Sequence, residues 1–345
     1  MTEKNALKVL VSKLVAGGST TICGALCALS MGCAPLLAQA ETLLVYTAVE
    51  PEWLPVYKAA YEREHPEDEI TFVRASAGAI AARLTAERDA PKADVILGLS
   101  AIAMDGLRGK GLLEPYRPKG AERIDKRMHA ADFSWFGINA WGGSICVNRA
   151  VLERRGLPVP QSWEDLTKPE YKGQIVMPSP LASSTGYMFF LGWIQGLGEE
   201  KGWNYFKRLH ENILFYTSSG ARPAAMVAQG EIPIGLSSAA FVQPFMRYRI
   251  PVVTVEPNEG VAWDAEASGL PKGSPHPEAA KRFLDFCASE AVGRIAADFS
   301  GIAAITEYST PQGAAIAAHF LPLDFERAGK EKPSIVHRWQ EWITQ

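Results

Sequence analysis

The chain has 345 residues, 47% hydrophobic and 21% charged, a balance that excludes a fibrous or disordered protein and leaves room for two domains. Its formal charge of −3 comes without a basic stripe, which excludes a general nucleic-acid binder but says little about a small anion in a cleft.

Residues 1–40 read as an export signal. Lys4, Lys8 and Lys13 precede an apolar stretch that ends in Ala38-Gln39-Ala40, so cleavage is expected after Ala40 and the mature chain is expected in the periplasm. Gly17, Gly18, Ser19, Thr20 and Thr21 interrupt the run, which therefore lacks the ~20 apolar residues of a membrane span. With three lysines and Glu3 the segment nets +2, so the remainder carries −5. The segment also holds Cys23, Cys27 and Cys33, leaving Cys146 and Cys287 in apolar surroundings without zinc spacing. Two buried free thiols are expected; a single long-range disulfide is the alternative.

From Glu41 onward, short strand-like runs alternate with longer helix-like ones. "TLLVYTA", "EITFVRASA" and "ADVILGLS" each precede a helical stretch, three βα units that predict a parallel sheet covered by helices. Around "INAWGGSICVN" the register changes, and Ala140 to Cys146 is read as a crossing into a second domain. There "GQIVMPSP", "ILFYTSSG" and "IPIGLSS" repeat the βα alternation, and "HPEAAKRFLDFCASE" and "IVHRWQEWI" read as helices near the end. The expected division is one lobe of residues 41–140 plus 265–345 and a second of 141–264, with a cleft between them.

In open α/β sheets, ligands bind beyond the carboxyl ends of the strands. Every strand-to-helix turn here carries hydroxyls: Tyr46-Thr47 before Glu50, Ser76, Ser100, Ser183-Ser184-Thr185-Gly186, Thr217-Ser218-Ser219-Gly220 and Ser237-Ser238. Serine and threonine are preferred N-caps, so each turn alone is explained by capping. "ASSTG" and "YTSSG" nevertheless offer more hydroxyls than one cap uses, beside a glycine that permits close backbone approach. Such turns at helix starts suit an anion. Arg222 follows closely and is a candidate cation for it, or equally a surface residue. Glu50, Asp264 and Glu266 would repel an anion but attract a cation on the same ligand, so a zwitterion fits both halves. Trp141, Tyr187 and Trp263 are candidate walls or core.

The pattern of "VYTAVE", "SSTG", "YTSSGARP" and "GVAWDAEASG" behind a signal peptide resembles the periplasmic substrate-binding proteins of ABC importers, in the ferric-iron and 2-aminoethylphosphonate group. The similarity runs over about residues 41–345 and looks closest to the 2-aminoethylphosphonate branch. It implies a type II periplasmic-binding-protein fold, two α/β lobes on a hinge that close on a ligand and present it to an ABC permease. It implies a monomer with no cofactor and no chemistry of its own. Carried over by motif, Ser183, Ser184, Thr185, Ser218 and Ser219 would hold the phosphonate, while Tyr46, Glu50 and Glu266 would face the amine. Thr47, Ser76, Arg222, Trp263 and Asp264 complete the candidate set. Ferric-binding relatives use adjacent tyrosines, and no Tyr-Tyr pair occurs here, which disfavours iron; thiamine and polyamines are further alternatives. A secreted phosphoester hydrolase is the reading from another class, but G-x-S-x-G and H-E-x-x-H are absent.

Overall fold

A computed structural model describes residues 41–343. The expected export signal, its cleavage point and its three cysteines lie outside the described residues. In chain order the first elements are β1 (Glu41–Thr47), α1 (Leu54–Glu64), β2 (Asp68–Arg74), α2 (Ala77–Ala86), β3 (Val95–Ser100), α3 (Ala101–Gly109) and the short β4 (Leu113–Glu114). Next come β5 (Phe136–Asn148), α4 (Arg149–Arg155), β6 (Ile175–Pro178), α5 (Ser184–Leu197), α6 (Glu199–His210), β7 (Ile213–Thr217), α7 (Arg222–Gln229), β8 (Ile234–Ser238), α8 (Ala239–Arg247) and β9 (Val252–Val255). The chain closes with β10 (Trp263–Pro271), α9 (Pro277–Cys287), α10 (Glu290–Phe299), α11 (Pro311–Ala318) and α12 (Phe325–Ile343).

The strands pair in the order β2-β1-β3-β10-β5-β8-β6-β7, with β4 on β10 and β9 on β5. The expected βα units run parallel, β1 beside β2 and β3 and β6 beside β7 and β8. The sheet as a whole is mixed, because β10 and β5 lie antiparallel to their neighbours in the middle of it. Continuous burial of β3, "VILGLS", follows from cover on both faces.

β5 is the pivot of this topology. Residues up to Gly142 pair with β10, and from Gly143 on with β8. The change falls on two glycines for a steric reason. A Cβ on Gly142 would lie 2.7 Å from Val261 Cγ1, and one on Gly143 would lie 2.7 Å from Met188 Cε. Real Cβ atoms do not approach so closely, so only hydrogen fits where the strand changes partners.

α5 forms because Ser183 in extended conformation caps it, its hydroxyl accepting from Gly186 N at 3.4 Å, and an unbroken apolar run follows. It ends at Gly198, φ 92°. Being buried from Thr185 to Ile194, it is a core helix rather than a surface one. Trp193 packs against Trp163, Phe189, Phe190 and Tyr205, giving the second half of the chain its aromatic core.

α12 packs against both α3 and α5. A Cβ on Gly329 would lie 3.0 Å from Gly106 N of α3, so the two backbones nearly touch. The Tyr187 hydroxyl of α5 donates to Ala328 O at 2.7 Å. Farther along, Trp342 meets Trp203 and Phe206 of α6. Cys146 and Cys287 are buried free thiols, each pushed up to about 12 by burial.

Candidate ligand-binding site

The carboxyl ends of β6, β7 and β8 come together in a chain of specific contacts. Pairing of β6 with β7 is extended by Ser179 N donating to Thr217 O at 2.8 Å. A Cβ on Gly186 would fall 2.5 Å from the carbonyl oxygens of Pro178 and Ser179, so α5 starts directly on the end of β6. Gly220 then sits against that start: a Cβ there would lie 2.8 Å from Thr185 Cβ and 3.3 Å from Ser183 Oγ. From β8, the Ser237 hydroxyl donates to Gly220 O at 2.6 Å. The two hydroxyl-rich turns singled out in the sequence therefore abut.

Their hydroxyls divide into two kinds. Ser183 caps α5, Thr217 donates to Ser219 O at 2.8 Å, and the Ser219 hydroxyl accepts from Ala221 N at 3.3 Å, so these three hold the turns in shape. Ser184, Thr185 and Ser218 have no hydrogen-bonding partner for their hydroxyls among the described residues. They are free to donate to a ligand beside the start of α5, where main-chain N–H groups also point outward. Arg222 opens α7 and is exposed. Thr185→Ala is expected to weaken ligand binding by roughly 1–3 kcal/mol with little change in thermal unfolding; calorimetry with unaltered affinity would place the anion elsewhere.

The acidic group lies on and beside the crossing strands. Glu266 of β10 is partly exposed and accepts from Asn139 Nδ2 of β5 at 2.7 Å. Burial pushes its carboxyl up to about 7; Asn139 opposes the rise and the charges of Glu50 and Asp264 add to it. Glu50 is raised chiefly by burial and steadied by Arg74, whose Nη2 donates to it at 2.6 Å. Asn139 is fully buried and its Oδ1 has no partner.

Asp264, also fully buried, holds the first turn of α3. It accepts from the Ser100 hydroxyl and from Ala265 N at 2.8 Å, and the N–H groups of Ala101 and Ile102 at the start of α3 lower its pKa. Burial pushes it up to about 7 against the pull of those donors.

Four candidates sit differently from the sequence expectation. Tyr46 does not face Glu50 and Glu266: its hydroxyl donates to Glu87 at 2.9 Å and its ring lies under the Arg83 guanidinium, because alternation along β1 turns it toward α2. The Thr47 hydroxyl accepts from Val49 N at 3.0 Å and is spent on shaping the turn. Ser76 caps α2 from an exposed position, accepting from Ala79 N at 3.3 Å. Trp263 is core rather than wall, stacked on Phe320 at 4.8 Å with its indole N–H donating to Leu321 O at 2.8 Å. Trp141, opposite Asp264 in the ladder, is the partly exposed tryptophan of the crossing strands.

Sequence reasoning missed Asn139 and Lys332. Asn139 is a lone amide in the apolar run "FGINAW", a pattern that marks a buried polar contact. Lys332 falls on the stripe Phe325, Ala328, Ile335, Trp339 that α12 buries, at a position where helical spacing calls for an apolar residue. A concavity lined by Leu84, Glu87, Lys92, Leu112 and Lys272 lies at the amino-terminal end of β3, away from the hydroxyl turns.

Residues 90–330 match the family described as bacterial extracellular solute-binding protein. The chain belongs to that family. It is similar to the periplasmic binding protein AfuA of Actinobacillus pleuropneumoniae, solved with exogenous fructose-6-phosphate bound, at 26% identity and TM-score 0.80, covering 87% of this chain and 98% of that one. A probable ABC transporter periplasmic-binding protein of Sinorhizobium fredii, y4fP, is 26% identical over 89% of this chain and 88% of its own length. The apo ferric ion-binding protein A of Pasteurella haemolytica matches at TM-score 0.75 and 18% identity over 88% and 98%, a likeness of fold alone. The fold is that of type II periplasmic binding proteins, and this member is a solute-binding protein of the ABC-importer type.

Proposed function

We propose that the exported chain, freed of residues 1–40, works in the periplasm as a monomeric receptor for a small solute with a phosphonyl or phosphoryl head, 2-aminoethylphosphonate being the type. The lobes are residues 41–140 with 265–345 and residues 141–264, joined by β5 and β10, with α12 laid across the join. Ligand capture closes them, and the closed form delivers its cargo to an ABC permease. The observation that supports this reading is Gly220 seated on Thr185 and Ser183, which brings the two hydroxyl-rich turns against each other. Hydrogen bonds to an ionised head contribute roughly 1.5–3 kcal/mol each. Ordering a ligand costs roughly 4–15 kcal/mol, so several such bonds in a closed, water-poor cleft are required. Glu266 and Glu50 supply the counterpart for an amine.

No catalysis is assigned. Ser183 is occupied as a cap, and among the described residues neither Ser184 nor Ser218 is hydrogen-bonded to a histidine that could take its proton. Iron is disfavoured because hard Fe(III) asks for anionic oxygens, whereas the Tyr46 hydroxyl is tied to Glu87 and that of Tyr216 is paired with His210 at 2.7 Å.

A second reading, a hydroxyl-bearing phosphate ester, is favoured by Glu266: a carboxyl near 7 is partly neutral at physiological pH and then both donates to and accepts from sugar hydroxyls. The similarity to AfuA points the same way. Calorimetry with 2-aminoethylphosphonate, ethylphosphonate, inorganic phosphate and fructose 6-phosphate separates the two. Preference for the first supports the zwitterion and preference for the last supports the ester. Equal affinity for all four would remove any pocket beyond the anion, and no binding would overturn the reading altogether.

A further inference from the structure

The half-buried lysine of α12 meets an aromatic face but has no hydrogen-bonding or ion-pair partner for its charge among the described residues. The Lys332 ammonium lies 5.2 Å from the centre of the Tyr187 ring and makes no hydrogen bond or ion pair among the described residues. Tyr187 is in the first turns of α5, one turn after Ser184, and it is anchored to α12 by its bond to Ala328. The charge of Asp264, on β10 and bonded to Ser100 before α3, also acts on Lys332. The ammonium thus stands where the starts of α3 and α5 are bridged by α12.

Asp264 does not bond it: both of its oxygens are engaged, one by the Ser100 hydroxyl and the other by Ala265 N. Burial lowers the Lys332 pKa, and the Asp264 charge offsets only part of that. A lysine left in such a place gives up hydration without gaining a bond, where an apolar residue would complete the stripe of α12. A bound anion removes that cost.

We propose that Lys332 is the cationic contact for the anionic head of the solute, reaching it from α12 beside the hydroxyls of Ser184 and Thr185. This rests on the phosphoryl or phosphonyl reading of the site, and it adds a specificity element: full negative charge on the head is recognised by an ammonium as well as by neutral donors. A lysine acts as a point charge, so it selects for charge more than for the geometry of the head.

The test is calorimetry on the full chain with 2-aminoethylphosphonate and fructose 6-phosphate, comparing wild type, Lys332→Met and Lys332→Arg, with thermal unfolding of each ligand-free protein. Lys332→Met is expected to lose roughly 10- to 150-fold in affinity for whichever compound wild type binds. Lys332→Arg should keep most of it, and unfolding of ligand-free Lys332→Met should shift little or upward. Wild-type affinity in Lys332→Met would overturn the proposal and leave the phosphoryl or phosphonyl reading standing. Lower unfolding temperature with unchanged affinity would overturn it in favour of a counter-charge for Asp264. No binding of either compound by wild type would overturn both. If Lys332→Met does not fold, the ammonium nitrogen resonance of Lys332 in wild type gives the answer: a shift on adding the bound compound supports contact, and no shift overturns it.

Discussion

Replacing Gly220 with valine should nearly abolish ligand binding while leaving a folded protein. The added Cβ would sit 2.8 Å from Thr185 Cβ and 3.3 Å from Ser183 Oγ, and the branched methyl groups have no better place to go. Thr185 cannot yield, since it lies in the buried first turn of a helix pinned on the end of β6 by Gly186. The turn before α7 must move instead, taking Ser218 and Ser219 away from Ser184 and Thr185. Overpacking of this kind costs about 1–3 kcal/mol in stability. Losing one whole turn of donors costs affinity on top of that, on the order of a hundredfold or more. Gly220→Ala should be intermediate. Calorimetry with the best compound of the panel, alongside thermal unfolding, checks both numbers; a Gly220→Val protein that binds like wild type would mean that the two turns do not share a ligand.

The second large effect belongs to Glu266. Its folded carboxyl stands near 7 against an ordinary 4.5, so the folded chain holds this proton more tightly than the unfolded one. The sign follows by linkage: the contribution is fully present below about 4.5, falls as pH rises from there to about 7, and is flat above. Glu266→Gln should therefore remove part of the slope of stability against pH in that window. It should leave untouched the acid-side loss caused by carboxylates held below their ordinary values, such as Asp68 beside Arg282.

Binding adds a sharper version. An amine needs the carboxylate, so affinity for 2-aminoethylphosphonate relative to ethylphosphonate should rise between pH 6 and 8 once each compound's affinity is corrected for the ionisation of its own phosphonate, which the ammonium makes easier in the first. Glu266→Gln should cost the amine compound roughly 1.5–3 kcal/mol and flatten that ratio. A parallel loss for both compounds would assign Glu266 to support of the crossing strands.

How much of this was legible beforehand differs by element. The βα units were readable because a short apolar run followed by a hydroxyl and a longer amphipathic run has one good packing solution. The hydroxyl turns at β6 and β7 were readable for the same reason, since turn chemistry is local. What could not be read was which way a strand residue faces. Tyr46 and Thr47 are neighbours on β1, yet one reaches α2 and the other closes its own turn. Trp263 likewise looked available until Phe320, 57 positions later in the chain, covered it. The mixed sheet was equally hidden, because the antiparallel entry of β10 depends on a partner more than a hundred residues away. Lys332 was hidden by habit rather than by physics: a lysine in a helix reads as solvated until its place on the buried stripe is counted.

The enclosed thiols have a practical consequence. At neutral pH a thiol near 12 is ionised on the order of one part in 10⁵, and Cys146 and Cys287 are both shielded as well. An oxidising compartment therefore finds no reactive thiol among the described residues, and neither does a maleimide dye. Among the described residues, a cysteine introduced at exposed Leu181, near the start of α5, or at Tyr248 would be the accessible thiol. Fluorescence from such a probe would report occupancy in real time with Cys146 and Cys287 left in place.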